Sequence, residues 1–240
     1  MRIVPRAGGG TLARVPDTTS TPHRGERPTQ LLVLRHGQSE WNASGRWQGH
    51  ADPPLDRAGQ LQAVAAAEVL GTFDAVWASD LQRATLTAQI IAELLGIGPV
   101  QIDPRLRETD VGPWQGLTHA EVEAGWPGFL AAHRRPDGFE PYDLAAERLR
   151  AALSEIAAEH PGGQVLVISH GGAIRALRRS LGGDSPHLPN LSGSWIHAHA
   201  PGHQHDVQLR VGDVVSVLTE QLTGQPSGQL PGQLPASDVL

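Results

Sequence analysis

Short apolar runs and helix-forming stretches take turns along this chain, and that alternation restricts its fold more than any other feature. Strand patterns fall at 31–34 (LLVL), 75–78 (AVWA), 100–102 and 165–168 (VLVI), with a further pair at 195–199 and 207–211. Helical patterns lie between them. Asp56 suits the N-cap of the alanine-rich run RAGQLQAVAAAEVL, which should stop before Gly71. SDLQ (79–82) has the form of a capping box that opens a helix running to Leu95, with Gly96 as its stop. THAE (118–121) repeats that device, and further helices are expected at 143–159 and 173–181. Strands joined by helices predict an open, mostly parallel α/β sheet with helices on both faces and one antiparallel edge strand. Ligands bind such sheets beyond the carboxyl ends of the strands.

The two ends of the chain lack this pattern. Residues 1–29 carry GGG, four prolines and five arginines without a hydrophobic period and read as a disordered lead, while the GQ-, Pro- and Gly-rich stretch 221–240 reads as a flexible tail. A domain over 30–220 remains. The lead has no apolar signal core, and no run approaches the ~18 apolar residues of a membrane span, so a cytoplasmic protein without membrane contact is expected. A net charge of −6 offers no general attraction for nucleic acid. The chain has no cysteine, which removes thiolate nucleophiles and thiolate metal sites. All 19 basic side chains are arginine, so P-loop, protein-kinase and Schiff-base chemistries lack their lysine. Chemistry must run on His, Arg, Asp, Glu or Ser.

Four strand ends carry such residues. LLVL runs into RHGQSEWN (35–42), with Arg35, His36 and Asn42; VLVI runs into SHGG (169–172), with His170, Gly171 and Gly172. AVWA leads into SDLQRATLTA, whose first helical turn holds Arg83, and the next strand leads into RLRETDVGPWQG, which holds Glu108. Adjacent parallel strands would bring His36 and His170 together, and glycines at 37, 171 and 172 would let main-chain amides approach an anionic oxygen. Taken singly, each residue has an ordinary reading: a solvated arginine, a loop histidine, or Glu108 in an exposed ion pair with Arg105 or Arg107. Their convergence on one sheet edge points to an anion site. Two other chemistries fit less well. Residues 37–41 begin like a GxSxG nucleophile elbow, but Trp41 replaces the closing glycine. His197, His199, His203 and His205 could bind a metal, yet their spacing suits an exposed hairpin.

With these motifs in place, the chain resembles the histidine phosphatase superfamily, in the branch that includes the cofactor-dependent phosphoglycerate mutases. The resemblance spans about residues 31–218 and rests on RHGQSEWN, QGHADPPLDRAGQLQA, SDLQRATLTA, LRETDVGPWQGL and SHGG. It implies a phosphoglycerate mutase-like fold and a phosphohistidine mechanism. By that match His36 is the nucleophile and Glu108 the proton donor. Arg35, Arg83 and His170 clamp the phosphoryl oxygens, with Asn42 and Gly171 assisting. Within the superfamily, VAAAEVLG, RLRETDVGPWQGLTHAEV and LSGSW are similar to the glucosyl-3-phosphoglycerate phosphatases, although GFEP (138–141) stands where a GGES pattern usually precedes the helix bearing Arg148.

Physical chemistry supports such a site without the name. A transferring phosphoryl group spreads charge over three oxygens, and two guanidinium forks can hold them without a metal or other cofactor. His36 must be neutral at the attacking nitrogen, with its other nitrogen fixed by a carbonyl such as that of Gly37. A protonated His170 would add a third positive donor, and Glu108 must hold a proton to pass to the leaving oxygen. The absence of lysine, with His119 where the mutase pattern has one, favours release of phosphate to water over mutase chemistry. The expected activity is therefore hydrolysis of a small phosphomonoester. A phosphoglycerate mutase is one alternative and a catalytically silent phospho-ligand binding module another; Arg134 and Arg135 could hold a second anionic group, and a homodimer is compatible with the chain.

Overall fold

The computed structural model describes residues 27–199 and 207–218. The expected tail and all but the last three residues of the expected lead lie outside this range, as do His203 and His205. Six strands form one sheet in the order β3-β2-β4-β1-β5-β6. They are β1 (Thr29–Arg35), β2 (Ala75–Ala78), β3 (Gln101–Ile102), β4 (Gln164–Ser169), β5 (Ser192–His199) and β6 (Gln208–Ser216). The first four run parallel, and β5 runs against β1 on one side and β6 on the other. This is the expected mostly parallel sheet, with its antiparallel pairing confined to one edge.

Both faces of the sheet are covered, which is why β1 and β4 read as continuous apolar runs. On one face Leu31, Val33, Val165 and Val167 pack against α5 (Tyr142–Glu159) and α6 (Gly171–Ser180). On the other, Leu32, Leu34, Leu166 and Ile168 meet α2 (Arg57–Val69) and α3 (Gln82–Leu95). A third cluster, built on Trp47, Trp114, Val122, Leu130 and Phe139, joins the segment after α1 (Glu40–Ala43) to the region around α4 (His119–Gly125).

The helix caps follow the sequence in part. Asp56 caps α2 by accepting from the Gly59 amide, Thr118 and Glu121 form their reciprocal box, and Gly96 ends α3 in the left-handed region. The SDLQ box does not form. The N-cap of α3 is Leu81, and the Gln82 amide is taken at 2.7 Å by the Asp52 carboxylate, a partner 30 residues away that satisfies the orphan donor in place of Ser79. The box that does form without being expected joins Ser39 and Asn42 at the start of α1.

Gly37 also serves a different purpose from the expected one. A Cβ on Gly37 would lie 2.6 Å from the Gly59 carbonyl oxygen, and one on Gly59 only 2.0 Å from the Gln38 carbonyl oxygen, so these residues let α2 dock on the chain beside His36. The Gly37 amide is already bound by Thr87 Oγ1 at 3.1 Å, and that of Gly172 by Glu108. Neither amide is free for a ligand, that of Gly172 being taken by a carboxyl oxygen of the protein itself.

Candidate active site

Arg35 of β1 pairs with Ser169 of β4, so the next residue of each strand, His36 and His170, leaves the sheet side by side. Their rings stand 5.0 Å apart at 61°. Arg83, in the first turn of α3, arrives from the end of β2: its Nε donates to His36 Nε2 at 3.2 Å, and its two terminal nitrogens donate to the carbonyls of Ala51 and Gly49 at 2.7 and 2.9 Å. Those two carbonyls fix the fork and still leave two of its five protons for a ligand. Arg35 donates to the Leu188 carbonyl at 2.6 Å and lies against Gly171, where a Cβ would meet its side chain at 3.3 Å.

The loop after β3 carries Glu108 to the same edge. Its Oε1 accepts from the Thr109 and Ala173 amides, each at 2.8 Å, and its Oε2 from the Gly172 amide at 3.1 Å. The ordinary reading of Glu108 as a partner of its neighbouring arginines does not hold, because Arg105 pairs with Asp103 and Glu155, and Arg107 pairs with Asp80. Arg35, His36 and Glu108 line one small cavity together with Trp47, Gln48, Gly49, Thr109 and Val111.

The electrostatics separate the roles of the two histidines. His36 Nδ1 is 2.6 Å from the Gly37 carbonyl oxygen, a distance that requires the proton on Nδ1 and leaves the lone pair on Nε2. Burial, then the charges of Arg83 and Arg35, push its pKa well below 6.5 despite the Gly37 bond, so the ring is neutral at neutral pH. His170 is also pushed well below 6.5, first by burial and then by Arg83, His36, Arg148 and Arg35. The expected protonated His170 is therefore replaced by a neutral one. Both its ring nitrogens are buried and lack a protein partner. Burial lowers Arg83 to about 10 and lowers Arg35 as well, with Glu108 opposing, and Arg83 stays charged at neutral pH.

Asn42 is close to this group but its carboxamide oxygen is committed to the Ser39 amide and hydroxyl. Asn190, which sequence reasoning missed, links the two: its Nδ2 donates to the His36 carbonyl at 2.9 Å and approaches Asn42 Oδ1 at 3.4 Å. Nothing in its local sequence, LPNLSG, announces that contact. Arg134 and Arg135 do not line the cavity. Arg134 sits over the Phe129 ring at 4.1 Å, and Arg135 donates to the Tyr142 hydroxyl and faces Trp114. Among the described residues no cluster of His, Asp or Glu has a metal-holding arrangement, and no helix is long and apolar enough to cross a membrane.

The sequence pattern of the histidine phosphatase superfamily (branch 1) matches residues 31–201. A glucosyl-3-phosphoglycerate phosphatase of Mycobacterium tuberculosis is 39% identical over 203 residues, covering 73% of this chain and 89% of its own. A metal-independent phosphoserine phosphatase of Arabidopsis thaliana is 38% identical over 182 residues, covering 70% and 76%. The structure of a mycobacterial glucosyl-3-phosphoglycerate phosphatase in complex with VO3 superposes with a TM-score of 0.67 at 35% identity, over 78% of this chain and 98% of that one.

Proposed function

This chain belongs to the histidine phosphatase superfamily, branch 1, and from that premise we propose that it hydrolyses small phosphomonoesters through a phosphohistidine formed on His36. The observation that carries the reading is the state of His36: a neutral imidazole with Nδ1 tied to Gly37 and its Nε2 lone pair beside the Arg83 guanidinium. In the first step Nε2 bonds to phosphorus as the ester P–O bond breaks, and Glu108 gives a proton to the leaving oxygen. In the second, water attacks phosphorus, Glu108 takes its proton, and the P–N bond breaks to release phosphate. Oε2 suits the proton, since it carries one amide bond where Oε1 carries two.

Charge on the transferring group is met by Arg35 and Arg83, whose forks supply what metal ions supply in other phosphoryl transfers. His170 contributes without a charge of its own, because a neutral imidazole still offers one N–H and neither nitrogen is taken by the protein. Gly171 assists by leaving room for the Arg35 side chain, and Asn42 assists through its side-chain Nδ2, since its main-chain amide donates to Ser39 Oγ. A glycerate-linked phosphate, of the kind named for the mycobacterial relatives, is the substrate class we favour.

The test is a phosphate-release screen with 3-phosphoglycerate, its glucosyl derivative, phosphoserine and sugar phosphates, run beside a mutase assay primed with 2,3-bisphosphoglycerate. Alkaline quenching during turnover should trap phosphate on residue 36. Phosphate transfer between glycerate positions, or label on another residue, would refute the reading.

A further inference from the structure

Arg148 of α5 does not line the cavity, yet it spends all five of its guanidinium protons on the segments that hold Glu108. Nε and Nη2 each donate at 2.8 Å to the two oxygens of Glu140, a bidentate pair. Nη1 donates to the carbonyls of Arg105 and Arg107 at 2.8 and 2.7 Å, and Nη2 donates to the carbonyl of Glu108 itself at 2.8 Å. The pair is largely buried, with side-chain exposures of 20% and 16%. This sets it apart from the more exposed pairs that Arg105 and Arg107 make on either side.

The loop it grips has little regular structure of its own. Between β3 and Glu108 there is a single 3-10 turn, Pro104–Leu106, so the position of Glu108 depends on donors supplied from elsewhere. His50 Nε2 reaches the same Glu108 carbonyl at 2.8 Å, and the carboxylate is held by the amides of Thr109, Gly172 and Ala173. Glu140 closes the network from the other side. It accepts from the Asp110 amide at 3.0 Å while its own amide donates to the Asp110 carbonyl at 2.8 Å. The GFEP segment thus keeps the one side chain the clamp requires, and its Phe139 packs on Trp114 at 5.7 Å.

We propose that Arg148, locked by Glu140, is a positioning residue for the proton donor: it sets where the Glu108 carboxyl stands relative to the leaving oxygen. The inference rests on Glu108 being the acid, as argued above. A planar fork with five donors is what the geometry uses, and a lysine, with three donors on a mobile stem, cannot reproduce it. Arg148 also adds charge near His170, so the test must keep that charge. Arg148→Lys does so while dismantling the fork.

Turnover of Arg148→Lys, Glu140→Gln and Glu108→Gln should be compared on p-nitrophenyl phosphate, whose leaving group needs little protonation, and on glycerol phosphate, whose alkoxide needs much. Misplacing the acid should slow glycerol phosphate by roughly tenfold to a hundredfold in Arg148→Lys and affect p-nitrophenyl phosphate much less. The Arg148→Lys/Glu108→Gln double variant should be no slower on glycerol phosphate than Glu108→Gln alone. Equal losses on the two esters, or losses that multiply in the double variant, overturn the proposal. Should Glu108→Gln itself fail to separate the esters, the acid assignment falls first and takes the clamp's purpose with it. Glu140→Gln, which loosens the fork and leaves the guanidinium in place, carries the same comparison if Arg148→Lys does not fold.

Discussion

Replacing Gly59 with alanine sets two effects of known size against each other. Gly59 lies in the first turn of α2, where alanine's better helix propensity should add about 0.5–1 kcal/mol. The new Cβ, however, would sit 2.0 Å from the Gln38 carbonyl oxygen and 2.7 Å from its amide nitrogen, both main-chain atoms that cannot swing aside. Overpacking strain of about 3 kcal/mol is the expected scale, leaving a net loss of about 2 kcal/mol. For a domain of this size that corresponds to a melting temperature lower by about 4–8 °C. Activity should fall as well, because the displaced segment carries His36 two residues upstream. Gly125→Ala provides the control: that site has no atom within 4 Å of the added methyl and should be neutral or slightly stabilising. Calorimetry and p-nitrophenyl phosphate turnover report both quantities. A Gly59→Ala protein as stable and as active as the parent would refute the claim that these glycines exist for the docking of α2.

Three further outcomes are expected. His36→Ala should abolish hydrolysis of p-nitrophenyl phosphate while far-UV circular dichroism stays unchanged, and retained turnover would remove His36 from the mechanism. Activity should survive EDTA, and a requirement for added divalent metal would show that the arginine forks are insufficient. Acid should destabilise the fold early: His36 and His170 are held well below 6.5 and His187 at about 4, so between pH 6.5 and those values the unfolded chain binds protons that the native chain does not. Stability should then fall as pH falls, by up to about 1.4 kcal/mol per unit for each histidine, and urea denaturation at pH 7.5 and 5.5 measures it; a flat profile contradicts the neutral state of the buried His36 and His170 and of the half-buried His187.

The parts of this architecture that could be read in the sequence are those written in local pattern. The apolar runs at 31–34 and 165–168 are each followed two residues on by a histidine, and parallel pairing in register was enough to bring His36 and His170 together. Arg83 was legible because its position in a helix's first turn fixes its direction. What stayed hidden depends on distant partners. Ser79 looked like a cap, but the Gln82 amide went to Asp52, whose approach no local pattern records. The protonation expected of His170 failed because its burial and the sum of four neighbouring groups are properties of the assembled fold. Glu140 was overlooked because the segment GFEP departs from the usual pattern on either side of the glutamate, and Arg148 reads locally as one more helix surface residue.

One detail of the Glu108 site reaches beyond chemistry. Helix α6 has His170 as its N-cap, which offers no side-chain cap, and the amides of Gly172 and Ala173 that a cap would satisfy are taken by Glu108, 64 and 65 residues earlier in the chain. The proposed acid is thus also a structural plug for the helix that follows the second histidine. A descendant of this gene released from catalytic selection that discarded His36 would leave one buried donor, the Arg83 Nε, without its partner, but discarding Glu108 would orphan three, the amides of Thr109, Gly172 and Ala173. Decay of the activity should then proceed through the nucleophile first, and the glutamate should outlast the reaction it serves.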